Sequence, residues 1–281
     1  MIPAEAIARS HWDAALSLEY AEAEGRTRLT GRRHRGPLRV QKALYPEGAH
    51  TCHTIVVHPP GGIAGGDRLE LAIGLGARAR ALLTTPGAAK WYRCPGAHAR
   101  QQLVCELEPQ SVLEWLPQET IVFDEARAEI ATSIRLRGDA LYLGWDLLCF
   151  GRRAAGERFE RGRLRTSTEI SRDGVRLWND FAGIGGGDDL LEAPAGCAGY
   201  AVCATMLVAG RDIDKTLLAR LREVAAPCVL RHGISALPGV LAARCLAPGA
   251  EQARQYLGAL WTLLRPALTG RAAVWPRIWS T

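Results

Sequence analysis

Three kinds of side chain in this chain could do chemistry: imidazoles, thiols and carboxylates set in apolar or glycine-rich surroundings. His50, Cys52 and His58 share parity along one extended stretch. On a strand, neighbours two apart lie ~7 Å apart, so His50 and Cys52 can meet at one ion, while His58 lies ~20 Å beyond Cys52 and joins only if the chain bends. Imidazole and thiolate suit nickel or zinc. No close-spaced set of three or four ligands, as a permanent site requires, accompanies them. The carboxylates are Asp67, Glu119, Asp146 and Asp180. Asp146 lies within Leu141–Phe150, a run apolar on both strand faces, and Glu119 lies within the apolar Trp115–Phe123. Asp67 closes a glycine-rich loop, and Asp180 follows Trp178 and Asn179. A carboxylate in apolar surroundings is costly unless it meets water, a cation or a base. Two readings stand. In one, these acids pair with arginines such as Arg152, Arg153 and Arg158. In the other, they line a hydrated passage and bind a divalent ion weakly in steps, as multi-site conduction requires.

The loop that Asp67 closes is His58-Pro59-Pro60-Gly61-Gly62-Ile63-Ala64-Gly65-Gly66-Asp67. Its prolines fix φ and remove two donors, and its glycines open conformations closed to other residues. It is either a tight connection between strands or a shaped loop offering a histidine and a carboxylate to a metal or polar partner. Enzyme signatures are missing: the chain has neither a phosphate loop of the Gly-x-x-x-x-Gly-Lys-Ser/Thr type nor a Gly-x-Ser-x-Gly elbow. Gly183–Asp189 has an aspartate where a dinucleotide loop needs its third glycine, and reads as a β turn. A metal-dependent hydrolase using His50, Cys52 and Asp67 is the alternative reading; it demands a stably held metal with an open position.

The elements that must hold these groups are mostly strands. Leu69, Leu71, Ile73 and Leu75 alternate with other residues, as do Ile130, Ile134 and Leu136, and Leu164, Thr166, Thr168 and Ile170. Period two in short runs punctuated by Gly and Pro, from residue 38 to about 208, predicts a large β structure. Residues 14–22 fit a short helix or a leading strand. Helical spacing appears in the C-terminal third. Ile213, Leu217, Leu221 and Val224 form one stripe, with Asp212 as N-cap and Pro227 as stop. Ala253, Tyr256, Leu257, Leu260, Trp261 and Leu264 form another that ends before Pro266. Both stripes are expected to pack on the β body. No internal repeat and no domain linker is visible.

Several blocks resemble the urease accessory protein family UreD, called UreH in some bacteria. They are Tyr45-Pro46-Glu47, Cys52-His53, the loop from His58 to Asp67, Leu82–Lys90, Leu113–Ile121, Gly144-Trp145-Asp146, Gly151-Arg152-Arg153 with Gly156–Phe159, and Pro276-Arg277-Ile278-Trp279. They run in the family's order from about residue 37 to the end, with residues 190–260 matching loosely. The resemblance implies one UreD-like domain over residues 1–281, mainly β, as helically arranged sheets with a few α-helices. It implies a non-enzymatic scaffold that binds apo-urease and UreF, and through UreF the GTPase UreG, in nickel insertion. It also implies an internal passage for nickel, with Asp67, Glu119, Asp146 and Asp180 as candidate lining, and no permanently bound cofactor.

Composition fits. Of the 281 residues 48% are apolar, enough for a sizeable core. Net charge is +6, and among 35 basic residues only Lys42, Lys90 and Lys215 are lysines. Arginine suits contacts with carboxylate-bearing partners. Arg32-Arg33-His34-Arg35, the one dense basic cluster, reads as a solvated turn; no aromatics interleave with it, which argues against nucleic acid. No apolar run approaches the ~20 residues of a membrane span and no signal peptide is visible, so a cytoplasmic protein is expected. The eight cysteines are widely spaced, consistent with buried thiols in a reducing compartment.

Overall fold

The computed structural model describes residues 11–94, 96–226 and 230–280. The chain opens with β1 (Asp13–Ala23), β2 (Arg26–Arg35) and β3 (Arg39–Val40), and then winds in coils. β4 (Cys52–Val57) leads to β5 (Arg68–Leu75). β6 (Arg80–Thr84) leads through β7 (Ala89–Trp91) to β8 (Ala99–Leu107). β9 (Val112–Trp115) leads through β10 (Thr120–Val122) to β11 (Arg127–Leu136), and β12 (Leu141–Phe150) leads to β13 (Arg163–Arg172). Each coil places one strand in each of two sheets. β1, β5, β8, β11 and β13 are parallel neighbours in one. β4, β6, β9 and β12 are parallel neighbours in the other. β7, β10 and the end of β12 form a short third side. Parallel pairing follows from the winding, because each strand returns to its sheet only after a crossover.

Cys52 aligns with Ala81, Ala81 with Leu113 and Leu113 with Tyr142, so successive coils are offset by 29, 32 and 29 residues. This is a structural repeat that the sequence hides, since the four equivalent residues share only burial. Alternation does its expected work: Leu69, Leu71, Ile73 and Leu75 are buried, while Arg68, Glu70 and Ala72 face out. Leu18, Ile73, Cys105, Ile134 and Ile170 stack as one ladder across the first sheet.

β14 (Val175–Gly185) completes the first sheet at seven strands. Beyond α1 (Asp189–Glu192), the strands β15 (Val202–Ala209), β16 (Arg231–Leu237) and β17 (Val240–Ala247) extend the second sheet. They pair antiparallel from β12 outward. α2 (Lys215–Arg222), between β15 and β16, and α3 (Ala250–Thr269) cover that sheet's outer face. β12 is therefore apolar on both faces for two reasons. Leu141, Leu143, Trp145 and Leu147 meet the helical layer, while Tyr142 and Phe150 face the coil interior.

Some local expectations change. Residues 14–22 are strand. The N-cap of α2 is Asp214, which accepts from the Leu217 N–H at 2.7 Å; Asp212 instead accepts from the Gly239 N–H at 2.7 Å. Pro227 and Cys228 lie outside the described residues. α3 runs through Pro266 to a left-handed cap at Gly270, whose N–H returns to the Pro266 carbonyl. One missing donor near a helix end is tolerated when the buried stripe through Leu264 holds the helix down. Arg32–Arg35 is the exposed end of strand β2, not a turn.

Candidate functional site

The glycine-rich loop forms the third side of the first coil. The Gly61 N–H donates to the His58 carbonyl at 2.9 Å, closing a turn over Pro59 and Pro60, and Gly61 takes φ 74°. Ile63 then pairs with β7: its N–H donates to the Lys90 carbonyl at 2.7 Å and its carbonyl accepts from Tyr92 at 2.8 Å. Gly62 and Gly65 are there for closeness. A Cβ on Gly62 would fall 2.1 Å from the Tyr92 ring, and one on Gly65 would fall 1.6 Å from Cys94 Sγ. Gly66, at φ 91°, brings the chain to Asp67. Asp67 is buried, and its two oxygens accept from the Trp12 and Ala64 N–H groups, each at 2.8 Å. Its carboxylate closes the loop instead of facing a passage.

A cavity of about 350 Å³ lies within the coils, and a second of about 540 Å³ lies past the last coil, between β13–β14 and β15–β17. They share Asp146, Leu148, Thr166 and Thr168 as wall. The first reaches His58, Gly61 and Gly62; the second reaches Asp180, Arg244 and His232. Asp146 is exposed although its strand is central, because the surface it exposes is cavity wall. It pairs across β12 and β15 with Thr205, which pairs with Arg244 on β17. On the facing sheet Thr168 pairs with Asp180. Arg244 donates to Asp180, tying the two sheets together, and lies 5.6 Å over the Trp178 ring. Burial, and then Asp180, raise the Asp146 carboxyl to about 7, against the pull of Arg244 and the Thr205 backbone. His58 Nε2 is sealed from solvent and has no hydrogen-bond partner. Burial lowers its pKa, with Asp67 opposing, which favours the neutral ring.

The other candidates lie apart. Glu119 faces α3: Arg254 Nη1 stands 3.8 Å from its Oε2 and donates to Gln118 Oε1 at 2.6 Å. Arg254 and Arg244 are thus the arginines beside Glu119 and Asp180. Of the arginines expected there, Arg152 and Arg158 pair with Glu157 and Glu192, and Arg153 donates to the Phe150 carbonyl. His50 is exposed, Cys52 is fully buried in the core beside Thr54, and Asp67 is committed to backbone. The hydrolase constellation is not assembled, and no group of three or more His, Cys, Asp or Glu that could hold a metal occurs among the described residues.

Sequence reasoning missed two of the three most buried charges, the third being Asp67. Glu114 and Arg265 are 2% and 1% exposed. Arg265 Nε donates to Glu114 at 2.9 and 3.0 Å, and its Nη2 to Glu47 at 2.6 and 2.8 Å. Trp261 Nε1 donates to Glu114 at 2.6 Å, and His53 Nε2 lies 2.6 Å from Glu47. Farther along, Trp279 Nε1 donates to Thr84 at 2.8 Å and its ring packs on Trp145, Trp261 and Trp275. Glu47, His53, Glu114, Trp145 and Trp279 all belong to the blocks quoted above. Much of that pattern therefore fastens α3 and the tail to the coils.

The UreD urease accessory protein family model matches residues 13–280. The chain belongs to the UreD family. Urease accessory protein UreD of Pseudomonas aeruginosa strain PAO1 is 56% identical over 273 residues, covering 96% of this chain and 95% of that one. UreD of Dechloromonas aromatica strain RCB is 52% identical over 273 residues with the same coverage. UreD of Pseudomonas fluorescens strain Pf-5 is 53% identical over 278 residues, covering 99% and 98%. These UreD relatives span essentially the whole fold, coils, helices and tail alike. No described helix is long and apolar enough to cross a membrane.

Proposed function

We propose that this protein is a cytoplasmic, non-catalytic scaffold in urease maturation that lets nickel cross its coil interior toward apo-urease, in complex with UreF and, through it, UreG. Family membership supports the maturation role. The observation that carries the passage is the Asp146 carboxylate, exposed inside the coil on the wall that both cavities share. Nickel accepts imidazole nitrogen and carboxylate oxygen. His58 offers the first at one end, and Asp146 and Asp180 offer the second farther in. Arg244 occupies Asp180, and Asp146 is only partly ionised near neutral pH, so neither acid holds a cation tightly. Conduction needs such weak, successive stops.

Thr168 lines both cavities, so Thr168→Trp fills the shared section. The variant is expected to fold and to pull down UreF and apo-urease as wild type does. Urease matured with it should carry as little nickel as urease from a strain lacking this protein. Normal nickel in that urease, measured by atomic absorption, would remove the passage. Fully nickel-replete urease in the deletion strain would remove the maturation role itself.

A further inference from the structure

At the end of the coils where β6, β9 and β12 begin, a separate cleft of about 450 Å³ is lined by Arg78, Arg80, Arg211 and Arg271, with two carboxylates, Glu22 and Asp139. Both acids are already engaged. Glu22 accepts from Arg78 Nε at 2.9 Å and from the Gly25 N–H at 2.7 Å. Asp139 accepts from the Gln110 N–H at 2.8 Å and lies 3.8 Å from Arg211. Arg80 and Arg271 make no ion pair among the described residues. Arg80 is half-buried and donates to the Thr269 carbonyl at 3.3 Å. Burial first, then Arg271 and Arg265, lower its pKa, as expected of cations pressed together. Glu114 and Glu47 pull the other way; they share Arg265 and do not line the cleft. The C-terminus of α3 contributes roughly half a negative charge, which offsets at most one of the two free cations.

We infer that this cleft binds a small oxyanion of the phosphate class. Two uncompensated guanidinium groups match a dianion, and their planar forks match its oxygens. A carboxylate from a partner would leave one cation uncovered. No Phe, Tyr or Trp lines the cleft; its one ring is the His50 imidazole, a small stacking surface for a nucleobase. The inference is independent of whether the interior conducts metal.

The test is thermal melting and calorimetric titration of the purified full chain with potassium phosphate at pH 7.5, against potassium chloride of equal ionic strength and against potassium acetate. Phosphate should bind saturably and raise the melting temperature beyond the chloride control. Arg271→Gln, chosen because Arg80 also holds the end of α3, should weaken phosphate binding at least ~10-fold, the loss of one charge-assisted contact. It should melt no lower than wild type without phosphate, since it relieves Arg80. Arg176→Gln, on the exposed part of β14, should titrate as wild type. A phosphate response equal to chloride, or unchanged in Arg271→Gln, would overturn the assignment. Acetate binding as tightly as phosphate would overturn it in favour of a partner's carboxylate.

Discussion

Asp146 is the residue where fold and function pull against each other. Its folded-state pKa, about 7, lies above the ordinary ~3.9. The folded chain therefore holds that proton longer than the unfolded chain, and stability falls as pH climbs between these values. Below about pH 4 the penalty is absent; above about pH 7 it is complete. Cavity water screens the charge, so the penalty is about 1 kcal/mol. Asp146→Asn should consequently melt higher than wild type at pH 8 and equally at pH 4, while lowering the nickel content of matured urease. Asp146→Leu, which also dries the cavity, should lower that content further. A drop in melting temperature at pH 8 would mean that Arg244 holds Asp146 ionised. The two close-approach glycines differ in how their neighbours can yield. Gly65→Ala drives its methyl into Cys94, which is 4% exposed, and should cost about 3 kcal/mol in urea unfolding. Gly62→Ala meets Tyr92, which is 37% exposed and can swing out, and should cost under about 1 kcal/mol.

Among the elements, α3 depends most on a few atoms. Arg265→Leu leaves Glu114 and Glu47 buried without their cation and should cost about 3–5 kcal/mol by chemical unfolding. It should also flatten the near-ultraviolet circular dichroism of the cluster of Trp261, Trp275 and Trp279. Adding Glu114→Leu should recover part of the loss, because it removes one stranded carboxylate. Recovery of nothing would mean that the two groups act independently. The helix itself was legible in the spacing from Ala253 to Leu264. Its clamp was not, since Glu114 and Arg265 lie 151 residues apart and neither interrupts its local pattern. Long alternating strands were legible for the same reason as the helix: one buried face leaves a period. β7 and β10, at three residues each, are too short to leave one, so the third side of the coil was invisible.

At the scale of the whole molecule, composition and alternation led to a β-rich body, and the ordered family blocks to its helical winding. The coil offset leaves no mark in the sequence because backbone register, not residue identity, sets it. Within the candidate site, Asp146 could be found from sequence because it is a charge inside a run apolar on both faces. Asp67 has a similar profile and a different job, because hydrogen bonds to local N–H groups satisfy a carboxylate as well as water does. Nothing on β17 marks Arg244, whose meaning comes only from its place across from Asp180.

The clamp also sets an order in time. The contacts of Arg265 with Glu47, of Arg80 with the Thr269 carbonyl and of Trp279 with Thr84 span 218, 189 and 195 residues. A growing chain makes its first coils well before it makes their fastenings, and contacts that close such long loops form late. Until α3 emerges, Glu47, His53 and Glu114 wait without their arginine, and the outer face of the second sheet has at most α2 to cover it. Newly made protein should therefore be protease-sensitive across its first half until the last turns of α3 are translated. Arrested nascent chains ending before residue 265 should be cut within β4–β9, whereas chains extended past residue 280 and clear of the ribosome should resist.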